Sequence, residues 1–201
     1  MSKTFFYYGT MNSSKTSQML MTAYNYKQKK TKYALIKPSS DNRSGENVIG
    51  SRVGLTATAD YVVSSNMTEC QQYQLIVELI NNYDVLLFDE CQFLPPKLIK
   101  NLLTEASFHD IVIMAYGLLK DFQGNLFEGS EQWLLGCDSL REIKTECEQC
   151  NRKAIYNVRF NGNTPVFNGV TVVIGDDNYH VFCAKHKNEL EGKVKHIVKT
   201  N

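Results

Sequence analysis

Residues 9–16, Gly9-Thr10-Met11-Asn12-Ser13-Ser14-Lys15-Thr16, constrain this chain more than any other stretch. An apolar, aromatic run (Phe5, Phe6, Tyr7, Tyr8) precedes them and reads as a buried strand. After them Met19, Ala23 and Tyr26 recur at helical spacing, with Leu20 and Tyr24 alongside. Strand, small-residue loop, Lys-Thr and helix is the order that a phosphate-binding loop requires. Backbone N–H groups at the start of a helix converge on an anion, and the helix dipole favours negative charge there. In that geometry Lys15 reaches the β- and γ-phosphates of a nucleotide, and the Thr16 hydroxyl ligates Mg²⁺. The usual pattern has Gly immediately before the Lys, where backbone approaches phosphate closely or takes a positive φ. Ser14 stands there in this chain, and a Ser adopts that conformation at a cost of roughly 1 kcal/mol. Taken alone, the stretch also fits a Ser-rich turn capping an ordinary helix.

The length of 201 residues suits one large domain, or a main domain with a small appendage. Lys plus Arg number 22 against 21 Asp plus Glu, which argues against a nucleic-acid tail or a membrane-binding patch. No apolar run approaches a transmembrane length, and the N-terminus lacks a signal-peptide pattern. A soluble, cytoplasmic protein is the expectation. Cys70, Cys91 and Cys137 are scattered, and in such a compartment read as reduced thiols.

Further along, Lys32–Lys37 reads as a second strand, ended by Pro38. Residues 38–58 turn polar and Gly-rich, the composition of a lid or a disordered segment. A strand at Asp60–Val63 and a helix carrying Leu75, Ile76, Leu79 and Ile80 follow. Asp84-Val-Leu-Leu-Phe-Asp89-Glu90 has the continuous apolar character of a buried parallel strand that delivers acid at its C-terminal edge. Pro95-Pro96 opens another helix, and Asp110–Tyr116 is a further apolar strand. This alternation predicts an α/β fold with a parallel sheet flanked by helices. Ligands of such sheets sit at the C-terminal strand edges, so Gly9, Asp89 and Tyr116 should meet at one crevice. From about Arg141 the character changes. Strand-like pieces at Ala154–Phe160 and Val170–Ile174 are separated by Gly- and Asn-rich turns, and the charged residues from Glu189 onward suggest fraying. A boundary near residue 143 would divide a nucleotide-binding part, 1–143, from a smaller part, 144–201.

Two constellations carry chemistry. An Asp at the end of a buried strand helps to hold Mg²⁺ beside a phosphate-binding loop, which is the role open to Asp89. Strand alternation would turn Glu90 to the opposite side, toward an acceptor whose proton it could take. Such a pair can also simply cap a strand and meet solvent. The second constellation is Cys147-x-x-Cys150 with Cys183-x-x-His186. Three thiolates and an imidazole suit tetrahedral Zn²⁺ and leave no open position, so the site would be structural. Its charged surroundings mean that metal would supply much of the folding free energy of this small lobe. Phe93, Tyr116, Phe122, Phe127 and Tyr179 lie near strand ends and could stack on a base or pack in the core.

The phosphate loop containing Met11-Asn12, the run Asp89-Glu90-Cys91-Gln92-Phe93, the segment Tyr116-Gly117-Leu118 with Asp121-Phe122-Gln123-Gly124, and the Cys147/Cys150/Cys183/His186 set occur together, in order, from Lys3 to about Lys187. In this the chain resembles the type II (cellular-type) thymidine kinases, in flavour the bacterial and phage branch. The resemblance implies a P-loop α/β domain with a zinc lobe whose loop, the lasso, folds over thymine. It implies ATP, Mg²⁺ and structural Zn²⁺, and transfer of the γ-phosphate to the 5′-hydroxyl of thymidine, with deoxyuridine a possible acceptor. Glu90 matches the family's base, and Asp41-Asn42-Arg43 matches a lid segment whose Arg steadies the transferring phosphate beside Lys15. Nucleotide contacts would fall on Gly9, Thr10, Met11, Asn12, Ser13, Ser14, Lys15, Thr16, Asp89 and Gln92. Acceptor contacts would fall on Met11, Phe93, Leu118 and Phe122, on the lasso at Val172, Val173, Ile174 and Gly175, and on Tyr179. The lasso is one residue shorter than the family's double-Gly version. The family forms homotetramers and is inhibited by dTTP. Two other readings stay open at this point: a P-loop kinase or ATPase with another acceptor, and a non-catalytic nucleoside- or dTTP-binding relative.

Overall fold

The computed structural model describes residues 3–169 and 179–199, and of side chains only as far as residue 194. Six strands form one parallel sheet in the order β5-β2-β6-β7-β1-β8. They are β1 (Lys3–Tyr8), β2 (Tyr33–Pro38), β5 (Tyr61–Val63), β6 (Val85–Phe88), β7 (Val112–Gly117) and β8 (Ser139–Glu142). Every neighbouring pair runs parallel. Helices α2 (Glu69–Asn82), α3 (Pro96–Ala106) and α4 (Glu128–Gly136) bury Ile76, Leu79, Leu98, Ile99, Leu102 and Trp133 against one face, on Phe6, Ala34, Ile36, Leu86, Phe88, Ile113 and Ala115. Helix α1 (Lys15–Gln28) lays Met19, Leu20 and Ala23 on the other face, over Leu35, Leu87 and Tyr116. Both faces are covered, which is why these strands read as continuous apolar runs rather than alternating ones. Because β6, β7 and β1 are neighbours, the C-terminal ends carrying Asp89, Leu118 and Gly9 lie side by side.

The polar stretch 38–58 is neither structureless nor disordered. It holds an antiparallel hairpin, β3 (Val48–Gly50) with β4 (Thr56–Thr58). Two contacts order it despite its composition. Ile49 is fully buried among the side chains under α1. Lys37, also fully buried, donates to the carbonyls of Gly45 at 3.1 Å and Val48 at 2.8 Å.

After β8 come a short hairpin, β9 (Glu146–Cys147) with β10 (Cys150–Lys153), and a three-stranded antiparallel sheet in the order β12-β11-β13. These last strands are β11 (Tyr156–Asn161), β12 (Thr164–Val166) and β13 (Tyr179–Phe182). The strand expected at Val170–Ile174, and with it Val172, Val173, Ile174 and Gly175, lies outside the described residues. The charged run from Glu189 is helical rather than frayed: α5 spans Ala184–Lys199. Lys185–Glu189 and Lys187–Glu191 are ion pairs one helical turn apart, at 3.7 and 2.5 Å, which suits a helix of this composition.

Candidate functional site

The loop between β1 and α1 holds the conformation that its glycine-poor sequence left open. Asn12 and Ser14 both have positive φ, +61° and +62°, and Ser14 enters the helix from the left-handed region. Alternating handedness of this kind turns successive backbone N–H groups inward and makes an anion-binding concavity. Gly9 is required for another reason: a Cβ there would come within 2.4 Å of the Ile143 carbonyl oxygen. The Lys15 ammonium lies within the loop, donating to the Thr10 carbonyl at 2.7 Å and to Ser13 Oγ at 3.3 Å. Burial lowers its pKa, opposed by the nearby carboxylates of Glu90 and Asp89.

Facing the loop are the two acids beyond β6. The strand stops at Phe88, and Glu90 takes a left-handed conformation (φ +45°, ψ +39°). This turn, rather than strand alternation, separates the two carboxyl groups. Asp89 accepts from the Thr16 hydroxyl through both oxygens, at 3.1 and 3.0 Å. Burial and the negative charge of Glu90 push it up to about 7. A buried carboxylate beside a hydroxyl, with more negative than positive charge around it, is a donor set suited to a hard divalent cation. Glu90 has the reverse balance. Burial would raise it, but Arg43 and Lys15 outweigh burial and hold it below the usual carboxylate range. Its Oε1 accepts from Arg43 Nη2 at 2.5 Å, and its Oε2 from Gln92 Nε2 at 2.6 Å. Arg43 is in turn anchored by Asp41, Nε to Oδ1 at 2.7 Å.

A cavity of about 300 Å³ lies between these groups. The phosphate loop from Met11 to Thr16 lines one side, Glu90, Phe93 and Leu118 another, and Asp41, Arg43 and the hairpin turn at Arg52 a third. Arg52 reaches across to donate to the side-chain carbonyl of Asn12.

Away from this cavity, the three sulfurs of Cys147, Cys150 and Cys183 and a ring nitrogen of His186 all lie within 4.8 Å of one another. Cys150 Sγ and Cys183 Sγ are 3.9 Å apart, and His186 Nδ1 is 3.2 Å from Cys147 Sγ. Sulfurs bound to tetrahedral zinc are about 3.8 Å apart, given Zn–S bonds of about 2.3 Å, so the cluster fits that metal. Although burial opposes it, backbone N–H groups of Cys183 and Gln149 and the His186 ring bring the Cys147 thiol down to about 6. A thiol so lowered readily supplies the thiolate that a metal takes.

A family model described as thymidine kinase matches residues 2–187. The chain belongs to the thymidine kinase family. It is 37% identical to a thymidine kinase of Lactobacillus acidophilus, in an alignment covering 92% of this chain and 96% of that one. It is 36% identical to a thymidine kinase of Streptococcus agalactiae, over 92% and 97% of the two chains. A Streptococcus thermophilus thymidine kinase is 39% identical over 92% and 93%.

The residues singled out for a thymidine kinase site are not all gathered at the cavity. Met11, Asn12, Ser13, Ser14, Lys15, Thr16, Arg43, Glu90, Phe93 and Leu118 line it. Gln92 does not; it is buried, and its amide is held by Glu90 and by the Leu118 N–H rather than left for a nucleotide. Phe122 is buried too, with the Arg159 guanidinium over its ring at 4.4 Å. Tyr116 packs in the core, stacked on Tyr7 at 4.5 Å. Tyr179 is half-buried on β13, paired in register with Arg159. The Asp121–Gly124 segment is a turn: Asp121 Oδ1 accepts the N–H groups of Gln123 and Asn125, each at 2.9 Å, and Gly124 has φ +96°. Sequence reasoning missed Lys37, Arg52 and Asn157. A Lys ending an apolar strand was the available signal for the first. The other two are single polar residues in runs that carry no pattern.

Proposed function

We propose that this chain transfers the γ-phosphate of ATP to the 5′-hydroxyl of thymidine, giving dTMP and ADP. The observation that carries the reading is Glu90, held through both carboxylate oxygens on the wall that faces the phosphate loop. The acceptor sits against Phe93 and Leu118 with its 5′-oxygen toward Glu90, and Met11 lies beside it. Glu90 takes the hydroxyl proton as O5′ bonds to the γ-phosphorus, and the bond from that phosphorus to the β-bridging oxygen breaks to release ADP. Lys15 and Arg43 neutralise charge as it spreads over the transferring group. Thr16 and Asp89 would hold Mg²⁺, which supplies further charge neutralisation when bound. The hairpin, the Arg52–Asn12 contact and the lasso of residues 172–179 exclude water from this chemistry.

In this reading residues 1–143 bind the nucleotide, and 144–201 form a zinc lobe that contributes Tyr179 and the lasso to the base. Cys147, Cys150, Cys183 and His186 hold Zn²⁺ as a structural ion. We further propose feedback inhibition by dTTP, a homotetramer and a cytoplasmic location. No helix among the described residues is long and apolar enough to cross a membrane.

The test is transfer of labelled γ-phosphate from ATP–Mg²⁺ to a panel of deoxynucleosides, with a control lacking acceptor. Product with thymidine, much less with deoxycytidine or purine nucleosides, is the expected result. Thermal protection by dTTP or ATP without any transfer would show a binding protein instead.

A further inference from the structure

Gln92 sits two residues past Glu90 in a short 3₁₀ turn, Cys91–Phe93, and is only 3% exposed. Both ends of its amide are engaged. Nε2 donates to Glu90 Oε2 at 2.6 Å, and Oε1 accepts the Leu118 N–H at 2.9 Å. A backbone N–H only donates and an ionised carboxylate only accepts, so one amide orientation satisfies both partners. The chain is cleared to let the side chain lie there. A Cβ on Gly117 would come within 2.5 Å of Gln92 Oε1, and one on Gly129 within 2.6 Å of the Gln92 backbone oxygen. Helix α4 braces both segments that the amide joins. Ser130 Oγ donates to the Leu118 carbonyl at 2.5 Å, and Trp133 Nε1 to the Cys91 carbonyl at 3.3 Å.

We propose that Gln92 is a positioning residue that fixes the Glu90 carboxylate relative to the acceptor pocket at Leu118. The proposal rests on the reading of Glu90 as the acceptor-side base. Arg43 holds the other Glu90 oxygen, but it reaches in from the segment leading to the β3–β4 hairpin and is also the guanidinium assigned to the transferring phosphate. Once Arg43 turns to that phosphate, Gln92 still keeps the carboxylate from rotating. The same amide holds the Leu118 N–H, so a base seated on Leu118 and the oxygen that takes the proton stay in one register. Misplacing a reacting group by about 1 Å can lower a rate about a hundredfold.

The first variant is Gln92→Met, which has similar volume and makes neither bond. Its kcat should fall ten- to a hundredfold, with the KM for ATP within twofold of the parent and the KM for thymidine raised several-fold. The second variant is Gly117→Ala, whose added methyl group keeps the Gln92 amide but drives it from its seat, and also crowds Cys91 Sγ at 2.7 Å. It should show the same split between kcat and the KM for ATP, and it decides the matter if Gln92→Met does not fold. With the single variant Gln92→Ala made alongside, the double variant Gln92→Ala/Gly117→Ala should lose less than the product of the Gln92→Ala and Gly117→Ala losses, because the amide oxygen that the added methyl group strikes first has gone and only its contact with Cys91 Sγ remains. A lowered melting temperature with kcat per folded molecule within twofold of the parent, or strictly multiplicative losses, would overturn the proposal. Glu90→Gln run in parallel separates the two readings. Transfer that persists there removes Glu90 as the base, whereas an inactive Glu90→Gln beside a near-normal Gln92→Met removes only the positioning role.

Discussion

The backbone N–H of Met11, in the phosphate loop, donates to the side-chain carbonyl of Asn157, on β11, at 2.8 Å. Asn157 is buried, and it pairs in register with Val181 on β13, the strand that leads directly to Cys183. The loop between β1 and α1 is therefore fastened by a strand whose neighbour ends at the Cys147/Cys150/Cys183/His186 cluster. Replacing Asn157 with Leu leaves the Met11 N–H without its acceptor, a loss of about 1–3 kcal/mol. ATP affinity should fall by roughly tenfold, measured by calorimetry. Unchanged affinity would show that the loop holds its shape without β11.

Removing zinc should act along the same route. Cys150→Ser breaks the donor set and should release the metal, unfold the region from β9 to β13 and weaken ATP binding in the otherwise intact chain. Metal content measured beside nucleotide affinity checks this. Retention of full zinc stoichiometry and activity would mean that the four-donor assignment is wrong.

Glu90→Gln keeps the shape of the side chain and its contact with Arg43 but removes the base. Transfer to thymidine should drop by about a hundredfold to ten-thousandfold, while ATP still protects against thermal unfolding. If ATP binding is lost instead, Glu90 belongs to the donor side of the cavity.

Ser14 occupies a left-handed conformation at φ +62°, which costs a non-glycine residue roughly 1–2 kcal/mol. Ser14→Gly relieves that strain but frees the unfolded chain, so unfolding free energy should rise by no more than about 1 kcal/mol. ATP binding should tighten or stay as it is. A large loss of affinity would show that the Ser hydroxyl is itself a phosphate ligand.

Asp89 gives a pH dependence with a definite sign. Burial and Glu90 push it up to about 7, so the folded chain binds this proton more tightly than the unfolded chain does. Its contribution to stability is fully present at low pH and is lost between about pH 4 and pH 7. Glu90, held below its ordinary value, works in the opposite sense and only at more acid pH. The difference in melting temperature between the parent and Asp89→Asn should therefore decline across that window, and a flat difference would contradict the environment described for Asp89.

The main sheet was legible because burial on both faces writes itself into runs such as Val85–Phe88, and the loop between Tyr8 and Lys15 was legible because few other folds need that order of residues. What escaped notice follows from the same physics. Ile49 sits with Val48, Val53, Leu55 and Ala57 in an otherwise polar stretch, and strands of three residues are too short for their pattern to mark the hairpin that it anchors. Lys37 has the charge of a surface residue, yet it is fully buried because the carbonyls of Gly45 and Val48 accept from it. Gln92 and Phe122 stand inside recognisable motifs, but a motif does not say which of its members face the ligand. Gln92 turns to Glu90 and Leu118, and Phe122 lies beneath Arg159.

The position of β1 in the sheet has a consequence during synthesis. Strand β1 is made before the other five strands of the main sheet, yet it lies between β7 and β8, the last two of them to be made. Its Thr4 N–H is satisfied by Asp138, 134 residues later, and Gly9 is packed under the Ile143 carbonyl. Strand β1 must therefore wait, with its aromatic residues uncovered, until β7 and β8 have been translated. Pairings this distant in sequence form slowly and leave the chain open to association in the interval. Chains truncated before β8 should accumulate as aggregates, although they contain every residue of the phosphate loop.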